Sequence, residues 1–164
     1  MDYENLQDFE TVYISKVFTK TKCDDKILLL PNVKYGGTGF FYANAPSLPY
    51  EVEHAVPDYL LYDGYVQAQL DKGIKPTTLK CFTDYSIGFL TRGCFRRCEF
   101  CVNKRYSRCV AHSPIAEFYD SSRKKIMLLD DNILAYPGWR RLMEELCAIG
   151  RPFTFKQGVD LRLI

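Results

Sequence analysis

Three cysteines, Cys94, Cys98 and Cys101, are the residues whose type and spacing point most directly to chemistry. They stand at C-x₃-C-x₂-C spacing, directly after an apolar run over residues 87–90 that is typical of a strand. Three thiolates held close together can bind a metal cluster and leave one coordination position open. Structural metal sites are saturated by four protein ligands, so an open position indicates a reactive site. The spacing therefore predicts a metal centre that does chemistry.

Polar residues also follow two later strands of the predicted sheet. Asp130, Asp131 and Asn132 end the second of these strands, and the polar segment 157–162 follows the third. In α/β folds the carboxyl ends of parallel strands form the edge at which ligands bind. We therefore expect both groups to converge with the cysteines on one edge of the sheet.

The elements that position these groups can be predicted from local patterns. Runs of apolar, β-branched and aromatic residues predict strands over residues 11–18, 26–30, 86–90, 125–129 and 153–155. A short helix is expected over residues 65–72, and Ser113-Pro114 is a good helix start, with Ser as N-cap and Pro at the first helical position.

Helical spacing returns near the end of the chain. Apolar residues recur at helical intervals from Trp139 to Cys147, and Gly150 is a natural stop. The near-continuous apolar run at 125–129 is typical of a strand buried on both faces. Alternating strands and helices imply an α/β fold with a parallel sheet and right-handed crossovers.

Composition limits the class of protein. The chain has 164 residues, which is enough for one domain or for one domain plus part of another. Its net charge of +2 is too small to attract nucleic acid or anionic membranes to the protein as a whole. No run reaches the ~18–20 apolar residues that span a bilayer, and the first residues do not form a signal peptide. A cytoplasmic location is therefore expected. In a reducing compartment, clustered cysteines indicate metal binding rather than disulfides.

The cysteine loop resembles the signature of the radical S-adenosylmethionine superfamily, including the aromatic Phe100 directly before the last cysteine. The resemblance implies that Cys94, Cys98 and Cys101 hold a [4Fe-4S] cluster and that S-adenosylmethionine chelates the iron left free. It implies an enzyme that reductively cleaves S-adenosylmethionine to a 5′-deoxyadenosyl radical, which abstracts hydrogen from a substrate that the sequence does not identify. The electron would come from a donor such as flavodoxin or ferredoxin.

The resemblance also implies roles for residues around the cluster. Phe100 would lie near the adenine, and the acidic motif after the second strand would accept hydrogen bonds from the methionine amino group. The family's usual Gly-Gly-Glu is here Asp-Asp-Asn, so this assignment depends on the carboxylate chemistry alone. Gln157 would face the cavity and Arg162 would pair with the methionine carboxylate. The expected cofactor-binding residues are Phe100, Asp130, Asp131, Asn132, Gln157 and Arg162.

Segments outside the cysteine loop are similar to a bacterial and phage branch of the same superfamily. The similar segments are residues 13–18, 36–39, 48–53, 57–59, 129–134 and 157–162. That branch has an N-terminal domain similar to a cobalamin-binding Rossmann domain. The expected architecture is a partial Rossmann-like segment over residues 1–78, followed over residues 79–164 by the first half of a radical S-adenosylmethionine (β/α) barrel. Each part is expected to be incomplete, so the chain reads as a fragment. Cobalamin is compatible with this architecture, although neither His54 nor His112 stands in an Asp-x-His-x-x-Gly motif.

Other interpretations stay open. Cys109 could join the three cysteines as the fourth ligand of a structural zinc site in a nucleic-acid- or protein-binding module. Six basic residues could then contact RNA, or could form a solvated face: Arg92, Arg96, Arg97, Lys104, Arg105 and Arg108. The segment 157–162 could instead be a helix entry capped by Asp160. A catalytically inactive fragment that binds a cluster is a further alternative.

Overall fold

The structure, a computed structural model, describes residues 5–101 and 103–164. The chain is a mixed α/β protein with parallel sheets. Its contacts divide it into two compact units. The first unit is Met1–Leu48 with Cys98–Arg105, and the second is Pro49–Arg97 with Tyr106–Ile164. The boundaries of these two units are not those of the predicted ranges 1–78 and 79–164.

Two short parallel strands form the sheet of the first unit. Strand β1 (Val12–Ser15) pairs with β2 (Val33–Gly36), with Val12 opposite Val33. The helices of this unit are α1 (Asp25–Leu28) and α2 (Thr38–Phe41), with 3₁₀ helices at Leu6–Asp8 and Tyr42–Asn44.

The predicted strand over residues 26–30 is wrong, since its first residues lie in α1. The Asp24 side chain accepts a hydrogen bond from the Lys26 backbone N–H at 2.9 Å, which caps a helical turn. Only Ile27 of this helix is buried, so the apolar run does not form a strand of the sheet. The partner of β1 is instead β2, whose residues lie outside the predicted strands.

The second unit contains the larger sheet, and its three strands were all predicted. The strands β3 (Tyr85–Gly88), β6 (Lys125–Leu128) and β7 (Phe153–Phe155) run parallel in the order β3-β6-β7. Ser86 pairs with Ile126, which in turn pairs with Phe153. Two further strands lie between β3 and β6 along the chain and form a separate antiparallel pair. They are β4 (Thr91–Arg92) and β5 (Val110–Ala111).

Helices precede and follow this sheet along the chain. They are α3 (Tyr50–Glu53), α4 (Asp63–Asp71), α5 (Lys80–Thr83) and α6 (Trp139–Ile149), with 3₁₀ helices at Pro76–Thr78, Ile115–Glu117, Ile133–Ala135 and Leu161–Leu163. The predicted helices at 65–72 and from Trp139 are confirmed by α4 and α6. Gly150 ends α6 with a left-handed φ of 69°, as a C-terminal glycine does.

Two expectations for the region between β3 and β6 need correction. The Ser113-Pro114 start leads into a single 3₁₀ turn with Pro114 as its N-cap, rather than a crossover α-helix. Strand β6 is not buried on both faces, because Ile126 and Leu128 are fully buried whereas Met127 is only partly buried.

The core of the second unit lies on one face of the β3-β6-β7 sheet. Ile126 and Leu128 point into it from β6, and Leu146 meets them from the apolar face of α6. The other buried members of this cluster are Leu90, Phe118, Ile133 and Leu134. Leu90 and Ile133 belong to the loops that follow β3 and β6, so the loops at the carboxyl edge of the sheet are anchored in the core.

Candidate functional site

The cysteine loop begins at a glycine that the fold requires. Gly93 has a φ of 93°, and a Cβ there would lie 2.5 Å from the carbonyl oxygen of Arg108. Its N–H donates a hydrogen bond to the Asp131 carboxylate at 2.7 Å. The residue directly before Cys94 is therefore held by a side chain from the end of β6.

The carboxylate of Asp130 holds the same loop one step earlier. It accepts hydrogen bonds from the Leu90 N–H at 3.3 Å, the Thr91 N–H at 2.6 Å and the Thr91 hydroxyl at 2.6 Å. Asp130 is only 1% exposed, and this burial raises the pKa of its carboxyl while the three donors oppose the rise. Both carboxylate oxygens are engaged within the fold, so the structure gives Asp130 a role in positioning the loop.

Asn132 reaches a cysteine directly. Its Nδ2 donates to the Sγ atom of Cys94 across 3.5 Å. Asn132 is 4% exposed, and its Oδ1 is buried with no hydrogen-bond partner among the described residues. The third residue of the predicted acidic motif is thus a neighbour of the first predicted ligand.

Two of the three cysteine sulfurs also accept backbone hydrogen bonds. Arg96 N–H donates to Cys94 Sγ and Asn103 N–H donates to Cys101 Sγ, each across 3.4 Å and each two residues further along the chain. All three cysteines are free thiols, and between the first two Arg97 takes an uncommon φ of 48°. Backbone N–H groups directed at sulfur are a feature that tunes iron–sulfur clusters.

The complete ligand set stays a prediction. Cys94 belongs to the second unit, whereas Cys98 and Cys101 belong to the first. In the described part of the chain, no three or more histidine, cysteine, aspartate and glutamate side chains form a group that could hold a metal ion. Phe100, predicted to lie near adenine, is 88% exposed, and its role stays a prediction as well.

The end of the third strand meets the cysteine loop through an ion pair. Arg96 contacts the Asp160 carboxylate, with its Nε at 2.8 Å and a terminal nitrogen at 2.7 Å. Arg162 binds the same carboxylate at 2.7 Å through its Nε. Arg162 first, and then Arg96, hold the pKa of Asp160 at about 2.

Asp160 is also the N-cap of the 3₁₀ helix Leu161–Leu163, because its side chain accepts from the Arg162 N–H. The alternative interpretation of this segment as a capped helix entry is therefore confirmed for Asp160. The predicted pairing of Arg162 with a methionine carboxylate stays a prediction, and so does the role of Gln157, which is exposed in the turn after β7.

The three strand ends therefore converge, as the sequence predicts. Within the second unit, Asp131 and Asn132 from the end of β6 contact Gly93 and Cys94, and Asp160 from beyond β7 contacts Arg96. Charged and polar groups from the ends of β6 and β7 thereby hold the start of the cysteine loop, which follows β3, at the carboxyl edge of the sheet.

Cys109, the fourth zinc ligand in the alternative interpretation, is buried at 4% exposure. Burial raises the pKa of its thiol, and the nearby charges of Asp130 and Asp131 act in the same direction. A metal ligand must be a thiolate, and a raised pKa opposes its formation. Of the basic residues, Arg92 lies over the Phe89 ring at 4.0 Å, and its Nε is buried with no partner among the described residues.

The second unit also contains a histidine cluster that no sequence motif indicates. His54 Nδ1 lies 2.7 Å from a carboxylate oxygen of Glu117 and 3.2 Å from the hydroxyl of Ser113. His112 lies beside His54, with 5.1 Å between the ring centroids, and its Nε2 is 3.4 Å from Glu53. The cluster borders a cavity of about 160 Å³. No local signal joins residues so far apart in the chain, so only tertiary packing brings them together.

Comparison with known proteins does not indicate a family for the chain. No protein-family model, curated protein or solved structure matches it. None of the helices in the described part of the chain has the length and apolar character needed to cross a membrane.

Proposed function

We propose that this chain is an iron–sulfur protein of the radical S-adenosylmethionine type, in which Cys94, Cys98 and Cys101 hold a [4Fe-4S] cluster. The observation that carries the proposal is the attachment of the cysteine loop to two other strand ends, through Asn132 on Cys94 and Asp160 on Arg96. Ligand sites of parallel α/β sheets are built at this edge, and a reactive site needs such support around its ligands.

The donor chemistry fits the cluster. Cysteine sulfur is the usual ligand of a [4Fe-4S] cluster, and the sulfurs of Cys94 and Cys101 already accept N–H groups that would offset its negative charge. The cluster needs all three thiolates as ligands, and metal binding is coupled to the ordering of its ligands.

A buried acceptor supports the S-adenosylmethionine part of the proposal. Asn132 Oδ1 lacks a partner among the described residues, and a buried carbonyl without a hydrogen bond costs about 1–3 kcal/mol. The ammonium group of the methionine moiety would donate to this oxygen. Asp131, whose other contact is the Gly93 N–H, would add negative charge beside the same group.

When bound, the cluster would supply the electron that breaks a carbon–sulfur bond of S-adenosylmethionine, giving methionine and a 5′-deoxyadenosyl radical. The chain's own residues would then position the reactants. Asp130 and Asp131 fix the backbone before Cys94, and the pair Arg96–Asp160 fixes it after Cys94. Such positioning is the main contribution of a protein to cofactor chemistry.

The finer fold assignment is also a proposal. The three strands of the larger sheet, β3, β6 and β7, are parallel and lie side by side in the order in which they occur along the chain. This arrangement suits the first half of a radical S-adenosylmethionine barrel. The parallel pair β1-β2 suits a partial Rossmann-like segment. Both assignments agree with the parallel pairing of the sheets.

Anaerobic reconstitution with iron and sulfide tests the cluster. We expect a broad absorption near ~400 nm that bleaches with dithionite and is lost in Cys98→Ala. Cys147→Ala is the matched control, because Cys147 is an exposed cysteine on α6, and it should keep the chromophore. One tightly bound zinc per chain with no chromophore would contradict the proposal and support the zinc-binding alternative.

Incubation of the reduced, reconstituted protein with S-adenosylmethionine tests the reaction. Release of 5′-deoxyadenosine, measured by chromatography with mass detection, is the expected result. A full cluster without any release would show a cluster-binding chain that does not cleave S-adenosylmethionine.

A further inference from the structure

We propose that Asn132 raises the reduction potential of the bound cluster by donating an N–H···S hydrogen bond to Cys94, an inference that rests on the proposed function. The bond joins Asn132 Nδ2 and Cys94 Sγ across 3.5 Å. The other hydrogen bonds described at the sulfurs of Cys94 and Cys101 come from the backbone, at Arg96 and Asn103. Asn132 is therefore the side chain through which the sequence can adjust the electrostatics of the first predicted ligand.

The surroundings hold the Asn132 amide in place. Asn132 is 4% exposed and directly precedes Ile133, which is fully buried in the core of the second unit. On its other side, Asp131 is bonded to the Gly93 N–H and Asp130 to the Thr91 N–H. The backbone of Asn132 is thus anchored on both sides, and its side chain is buried.

The chemistry of the sulfur selects the orientation of the amide. A thiolate can only accept hydrogen bonds, so Nδ2 faces it, and the opposite orientation would place the carbonyl oxygen against it. In the observed orientation Oδ1 is buried without a partner among the described residues. A donor needed at Cys94 explains why an amide, rather than an apolar side chain, occupies this buried position.

The direction of the effect follows from charge. Reduction adds one negative charge to the cluster, part of which resides on the cysteine sulfurs. An N–H dipole with its positive end at Sγ stabilises the reduced form more than the oxidised form, so it raises the potential. Removing the donor should make the cluster harder to reduce.

The test compares Asn132→Leu with the wild-type chain after anaerobic reconstitution. Leucine has a similar size and lacks both the donor and the acceptor. We expect the variant to bind a full complement of iron. At a fixed solution potential, its ratio of reduced to oxidised cluster should be roughly tenfold lower, which corresponds to a midpoint potential lower by about 59 mV for a one-electron couple. Redox titration followed by electron paramagnetic resonance measures the ratio. Asn103→Leu is the matched control, because the Asn103 contact with Cys101 is made by the backbone N–H and survives the change.

A second variant covers the case in which the leucine variant does not fold. Asn132→Asp keeps the shape and replaces the donor by an acceptor, so the potential should fall, whereas Asn103→Asp should shift it less. A wild-type midpoint in a folded, iron-loaded Asn132 variant would overturn the inference and leave the proposed function intact. A folded wild-type chain that takes up no iron would overturn the proposed function, and the inference with it.

Discussion

Asp130 and Asp131 are adjacent in the chain, yet their carboxylates have different tasks. Asp130 is buried and accepts three hydrogen bonds from Leu90 and Thr91, whereas Asp131 is partly exposed and binds the N–H of Gly93. The bonds of Asp130 involve a charged group and buried donors, which makes them stronger than neutral hydrogen bonds. One aspartate therefore stabilises the loop, while the other also remains accessible to a ligand.

At the residue scale, the carboxylate of Asp160 makes a pH-dependent contribution to stability. Arg162 and Arg96 hold its folded-state pKa at about 2, below its ordinary value of 3.8. Because the folded pKa is the lower one, the contribution is present above the unfolded pKa and is lost as the pH falls through about 2. The stability difference between wild type and Asp160→Asn should therefore shrink below pH 3.8. Urea unfolding followed by the fluorescence of Trp139 measures it.

The carboxyl carbon resonance of Asp160 gives an independent check on this prediction. Its titration midpoint should lie near 2 in the wild-type chain and should rise in Arg162→Gln, because Arg162 is the larger cause of the shift. A wild-type midpoint near 3.8 would contradict the assigned contacts.

At the element scale, the side chain of Tyr59 covers the edge of β3 that faces away from β6. The hydroxyl of Tyr59 accepts from the Ile87 N–H at 2.8 Å and donates to the Phe118 carbonyl at 2.6 Å. Arg123 supports it by donating to the backbone carbonyls of Tyr59 and Phe82. Backbone groups at the edge of a sheet are otherwise open to pairing, so this contact protects the strand that leads to the cysteine loop.

Tyr59→Phe tests the closure of this edge. Loss of the hydroxyl leaves the Ile87 N–H and the Phe118 carbonyl without their partner, which should lower the free energy of unfolding by about 1–3 kcal/mol. Urea unfolding measures the change. Tyr62→Phe is the control, because Tyr62 is 51% exposed and packs its ring against Phe82, and its effect should stay within about 0.5 kcal/mol. Equal effects of the two variants would contradict the role of Tyr59.

At the scale of the whole molecule, buried apolar residues are unevenly distributed. The second unit has a cluster of seven buried side chains around Ile126 and Leu128. In the described part of the first unit, Ile27, at 7% exposure, is the one residue with a buried apolar side chain. Local stability follows buried contacts, so the two units should differ in how readily they open.

Hydrogen exchange measured by mass spectrometry checks this difference. Amides of β1 and β2 should exchange faster than those of β3 and β6, because fewer buried side chains cover them. Similar protection of both pairs of strands would contradict this prediction and would show that the small core of the first unit is enough to slow exchange.

Local patterns in the sequence determined much of the larger sheet. The apolar runs predict β3, β6 and β7, and the helical spacing from Trp139 with Gly150 at its end predicts α6. Their signals lie within single elements, where neighbouring residues decide the outcome. The run at 26–30 has the same composition as a strand, but the Asp24 cap and the lack of burial beyond Ile27 produce a short helix.

The sequence by itself also identified the cysteine loop and the polar residues at the strand ends, because residue type and spacing are local properties. Tertiary structure alone decided which of these residues touch. The Asn132–Cys94 contact spans 38 residues, and the pair His54–Glu117 spans 63. Such contacts depend on the pairing and register of strands, which place distant segments side by side. The sequence therefore selected the candidate site residues, and packing assigned Asp130 to the fold and Asn132 to the sulfur.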